Sequence, residues 1–76
     1  MNKVRRKAIE KIAEQLSELK DELEALKDEE QESFDNMPES LQGSERGEQM
    51  ESIIYNLEEV LESLESACDG LEGFES

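Results

Sequence analysis

Seventy-six residues with 22 acidic and 8 basic side chains, a formal net charge of −14, allow one small domain at most. A lone cysteine excludes an internal disulfide, and the absence of histidine excludes His-based triads, HExxH zinc sites and the ExxH di-iron pattern. So acidic a surface resists nucleic acid and anionic lipid and attracts basic partners.

The chain opens with a basic head, Lys3, Arg5, Arg6, Lys7 and Lys11, which runs without a break into AEQLSELKDELEAL. It reads as the start of a helix and not as a targeting segment. Ile9, Ile12, Leu16, Leu19, Leu23 and Leu26 recur at alternating spacings of three and four, a heptad a/d seam. Met37 precedes Pro38 and is pushed away from helical angles, so the helix is predicted over 3–34. Its narrow seam is expected to serve one neighbour. KDEEQESFD lacks the order of an EF-hand loop and reads as a solvated helix end.

A connecting segment, 35–43, follows and holds the one proline. Asn36 with Glu39 suggests a capping box around a short turn, with Pro38 in its first turn. Phe34, Met37 and Leu41 suit a plug for the end of a bundle. Ser40, Gln42, Ser44 and Arg46 are candidate ligands for an anion, joined by Arg5 and Arg6 of a neighbouring copy. Gly47, one turn later, permits close approach by another backbone or a ligand.

A second helix is predicted over 44–70, with Ser44 as N-cap, Gly70 as C-cap and 71–76 as a frayed tail. Met50, Ile53, Leu57, Val60, Leu64, Ala67 and Leu71 hold its a/d positions, while Ile54, Leu61 and Cys68 fall on e. An apolar arc this wide implies two or more neighbours. The fold class expected is therefore all-α: an antiparallel helical hairpin that assembles through its second helix into a four-helix dimer or higher oligomer. The expected interface is Met50, Ile53, Ile54, Leu57, Leu61, Leu64 and Cys68. Folding back should set the basic head beside Glu62, Glu65, Asp69, Glu72 and Glu75.

On the outer face of this helix Tyr55 stands among Glu51, Glu58, Glu59 and Glu62, a candidate partner-binding surface. Cys68, with Asp69 beside it and no histidine to activate it, reads as core filler. A thin hairpin offers no cleft for paired carboxylates, so no catalytic residue, cofactor or metal is expected. Neither DNA nor membrane binding is expected, since the basic head has no interleaved aromatics and little apolar face. One unpaired thiol, and no apolar run near the ~20 residues that span a bilayer, point to the cytoplasm.

LKDEEQESFDNMPESLQGSERGEQME, chiefly its NMPESLQGSERGE portion, resembles small open reading frames of phages and prophages of Gram-positive bacteria. The resemblance implies a phage accessory protein acting in the host cytoplasm, of the kind that counters host defence. It implies no enzymatic activity and carries over no site residue. The expected function is sequestration of a host macromolecule, such as a protein that itself binds nucleic acid, through acidic helix faces that imitate nucleic-acid charge. The alternatives are an oligomeric sponge for an anionic nucleotide at the Arg46 loop and a structural coiled-coil adaptor.

Overall fold

A computed structural model describes residues 2–73 as two long helices joined by a short one. Helix α1 spans Lys3–Asp35, α2 spans Glu39–Gln42 and α3 spans Glu45–Glu72. The described residues are all-helical apart from turns and ends, and α1 and α3 lie in contact along an elongated body of 58 × 15 × 14 Å. The grooves between them run in opposite order along the two helices. Lys20 and Leu61 line one near the middle; nearer the connection, Leu26 and Ile53 line another, and Ser33 and Met50 a third. That order is an antiparallel hairpin.

The two long helices each start with a side-chain cap. Asn2 accepts the Arg5 N–H at 2.8 Å, leaving α1 to run 33 residues. Ser44 caps α3, as its sequence position suggests, accepting the Gly47 N–H at 3.4 Å. The helix does not stop at Gly70 but continues through it to Glu72, with Gly73 as C-cap. No left-handed glycine is needed among the described residues, so Gly70 stays helical and Leu71 remains on the seam. Residues 74–76 of the expected tail lie outside the described residues.

The capping box expected at Asn36 does not form. Asn36 ends α1, donating its N–H to Glu32 O at 3.0 Å, and Pro38 takes the N-cap position of α2 without a side-chain cap. The Leu41 N–H bonds Pro38 O at 2.8 Å instead, closing the short helix through backbone alone.

The seam is rotated by one position from the a/d expectation. On α1 the inward residues are Ile9, Ala13, Leu16, Lys20, Leu23 and Lys27; on α3 they are Met50, Ile54, Leu57, Leu61, Leu64, Cys68 and Leu71. Both helices therefore turn their a and e positions inward and leave d outside. On α3 this choice turns Ile54, Leu61 and Cys68 inward in place of Ile53, Val60 and Ala67. On α3 the exchange adds a methylene at one step and a thiol at another, while on α1 it leaves Ile12, Leu19 and Leu26 in water, so apolar burial within one hairpin does not by itself select this edge. On α1 Lys20 and Lys27 are half-buried at the e positions, where long side chains can cover apolar surface with their stems and keep the charge in water.

Six of the seven residues expected to join separate chains are thus used within one chain. Met50, Ile54, Leu57, Leu61, Leu64 and Cys68 are buried or half-buried in the hairpin; Ile53 alone of that set is exposed. Within the hairpin α1 packs on α3, and Ile12, Leu19 and Leu26 of its expected seam are left exposed.

Packing across two helices is shallow. Ala13 at 9% and Ile54 at 6% exposure are the buried hydrophobic side chains among the described residues. A pair of cylinders touches along a line, so residues beside that line stay half open to water. No helix among the described residues is long and apolar enough to cross a membrane.

Candidate functional site

Three surfaces remain once the hairpin has formed. The first is apolar. Ile12, Leu19 and Leu26 on α1 and Ile53 and Val60 on α3 are between 46% and 58% exposed. Within each helix they recur every seven residues, and Ala67, also exposed, continues the α3 series. Leu26 and Ile53 line one groove together with Leu23 and Leu57, which places both series on the same side of the hairpin. Glu29, Glu30 and Ser33 border that groove.

On the opposite side the groove is charged. Lys20 and Lys27 share it with Glu24, Glu58, Glu62 and Glu65 around Leu61. The four acids outnumber the two lysines, yet opposite signs face each other across the helix pair, which favours the antiparallel pairing. Lys27 Nζ lies 3.2 Å from Asp28 on its own helix, a pair with Lys27 half-buried and Asp28 exposed to water, of small worth. The ion pairing expected between the basic head and the end of α3 is not formed within the described residues. Lys3, Arg5, Arg6, Lys7 and Lys11 are exposed instead.

The second surface is the outer face of α3. Tyr55 is 61% exposed. Glu51, Glu58, Glu59 and Glu62 stand four before and three, four and seven after it, the spacings that share a helix face, and all four are exposed. The sequence-derived partner-binding set is thus assembled by one helix alone and needs no tertiary contact.

The third is the connection. Ser33, Met37, Leu41, Ser44, Arg46 and Met50 line a groove at the end of the hairpin. Here two of the candidate anion ligands, Gln42 and Ser44, are already engaged. Gln42 donates from Nε2 to the carbonyls of Phe34 and Met37, each at 3.1 Å, tying α2 to the end of α1. Ser44 Oγ donates to the Leu41 carbonyl while capping α3. Arg46 is exposed on the groove and Ser40 is exposed outside it. Arg5 and Arg6 lie at the far end of the same chain. One hairpin does not bring the six together.

The role of Gly47 is resolved as close backbone packing. It is buried, and a Cβ at this position would come within 2.6 Å of the Gln42 carbonyl carbon and 2.7 Å of Leu41 O. The first turn of α3 is therefore pressed against the last residues of α2. Gln42, Ser44 and Gly47 together make the connection a fixed corner. Gln42 as a double tie across the corner was not read from sequence; a polar side chain of this length eight residues after Phe34 carries no local signal.

Among the described residues, no group of three acidic, cysteine or histidine side chains is placed to hold a metal ion. Comparison with protein-family models, curated proteins and solved structures gives no match.

Proposed function

We propose that this protein is a non-enzymatic, self-associating helical hairpin of phage accessory type that sequesters a basic host protein through the acidic outer face of α3. The observation that carries the reading is Tyr55, 61% exposed and ringed by Glu51, Glu58, Glu59 and Glu62. A large amphipathic ring held on a rigid helix costs little entropy to dock, and the surrounding carboxylates attract Lys- and Arg-rich surfaces. A nucleic-acid-binding protein carries such a surface, and a rod bearing −14 charges offers it a substitute for phosphate. Self-association is supported by the shallow core of the single hairpin and multiplies the acidic faces in one particle.

The test is a pull-down from host lysate with the intact protein and with a variant carrying Glu51→Gln, Glu58→Gln, Glu59→Gln and Glu62→Gln together. These four residues are exposed and isosteric with glutamine, so circular dichroism should be unchanged. The reading expects a basic protein to be retained by the parent at low salt, released as salt rises, and lost from the variant. Equal capture by the variant would sink it. The anionic-nucleotide reading at Arg46 has weaker support, because Gln42 and Ser44 spend their side chains on the corner.

A further inference from the structure

The exposed d-position stripe is an apolar feature that the single hairpin leaves without a partner among the described residues, and the distribution of charge says how it is covered. Resting on the self-association just proposed, we infer that a second copy of this chain packs face to face on the stripe in antiparallel orientation, the connecting corner of each copy over the chain ends of the other.

Size and spacing fit a second copy. The side of the rod that carries the stripe is 58 Å long and about 15 Å wide, on the order of 800 Å² per copy, which is what a standard stable interface buries on each partner, and the apolar stripe from Ile12 to Leu26 occupies its central ~21 Å. The stripe is centred on Leu19 and Val60, with Ile12 and Leu26 seven residues to either side on α1 and Ala67 and Ile53 on α3. An in-plane two-fold axis through this centre, across the hairpin, sets Leu19 on Leu19, Val60 on Val60, Ile12 on Leu26 and Ile53 on Ala67. A two-fold along the hairpin would match apolar residues equally well, setting Leu19 on Val60. Apolar register alone does not choose.

Charge does. Residues 19–59, the corner half, carry fourteen acids and three bases, a net of −11. The remaining residues carry eight acids and five bases, a net of −3. Packing along the hairpin lays one −11 half on another. Packing across it lays each −11 half beside a −3 half, and the exposed basic head of one α1 runs along the acidic end of the other. Arg5 sits seven residues before Ile12, and Ser33 seven after Leu26, so the same register brings Arg5 of one copy to Ser33 of the other. Glu29 and Glu30 border the groove at that point. Opposite charges placed this way set orientation more than affinity.

The test uses the full chain with Cys68→Ser, so that each added thiol is alone. Native mass spectrometry of the unmodified chain is recorded first. Leu19→Cys and, separately, Val60→Cys are then oxidised under native conditions and run on a non-reducing gel, alongside mixtures of Ile12→Cys with Leu26→Cys and of Leu19→Cys with Val60→Cys. Circular dichroism confirms that each variant stays helical. The inference expects a dimer in which Leu19→Cys and Val60→Cys each cross-link to themselves and the Ile12–Leu26 mixture forms the mixed species. Mixed Leu19–Val60 species without self-linkage would establish the other orientation and overturn the inference while leaving self-association standing. A dimer that cross-links at neither pair would place the interface elsewhere and overturn it too. A monomer at micromolar concentration would overturn the inference and self-association together.

Discussion

Gly47 and Gly70 both lie inside α3, and their surroundings give substitution opposite signs. A methyl group at Gly47 has nowhere to go, because the nearest atoms are backbone of Leu41 and Gln42 and not a side chain that can swing aside. Gly47→Ala should lower stability by about 1–3 kcal/mol, the usual cost of overpacking, by forcing α2 off the first turn of α3. Gly70 has open space around the position of a Cβ, so Gly70→Ala should raise stability by roughly 0.5–1 kcal/mol through helix propensity. At this chain length each kcal/mol moves the midpoint by roughly 4–8 °C, so thermal melts of the two variants separate them. Equal shifts would mean that the corner is not closed in solution. That Gly47 invites a close approach is legible in the sequence, since a glycine one turn into a helix carries a propensity cost that asks for a reason. Which backbone approaches it is not, because Leu41 and Gln42 meet it only when the chain has turned.

At the scale of elements, α1 and α3 form for local reasons and α2 does not. Asn2 and Ser44 cap long runs of good helix formers with an apolar stripe, all within a few residues of one another. Helix α2 is four residues long and has no side-chain cap, so it depends on its neighbours. Gln42 supplies the tie through two hydrogen bonds, one to the Phe34 carbonyl at the end of α1 and one to the Met37 carbonyl in the link that follows. Gln42→Ala should leave two carbonyls without this partner and cost about 1–2 kcal/mol. The loss belongs to the corner, so limited proteolysis between Asn36 and Ser44 should accelerate while α1 and α3 remain helical. Cleavage at the parental rate would show that backbone bonds alone hold α2. The capping box expected at Asn36 illustrates the same point. Asn36 has the right residue three positions before Glu39, but its N–H continues the α1 ladder to Glu32, and a ladder already thirty-three residues long extends more readily than a new turn nucleates.

The whole molecule is a rod whose two helices share too little area to hide their apolar residues from water. Ala13 and Ile54 are buried, while Ile12, Leu19, Leu26, Ile53 and Val60 remain about half exposed. If a second copy covers them, folding is coupled to association and the melting midpoint must rise with protein concentration. The expected shift is several degrees for each tenfold increase, followed by circular dichroism. Added salt should raise the midpoint at low ionic strength, because a net charge of −14 repels itself and screening relieves that repulsion. A midpoint independent of concentration would describe a hairpin that stands alone.

Sequence by itself determined that there are two long helices, that Ser44 starts the second, that a short turn separates them and that Tyr55 faces outward among acids. Each of these depends on neighbours within about one turn of helix, where spacing and capping act directly. Only the tertiary structure decided which edge of each apolar arc faces inward. The a/d seam and the a/e seam share half their residues, and either satisfies the periodicity of one helix considered alone. Apposition of α1 and α3 uses the a/e edges, which buries Ile54, half-buries Leu61, Cys68, Lys20 and Lys27, and leaves Ile12, Leu19 and Leu26 in water. The leftover d positions of both helices then fall on one side of the rod, a surface that neither helix possesses by itself.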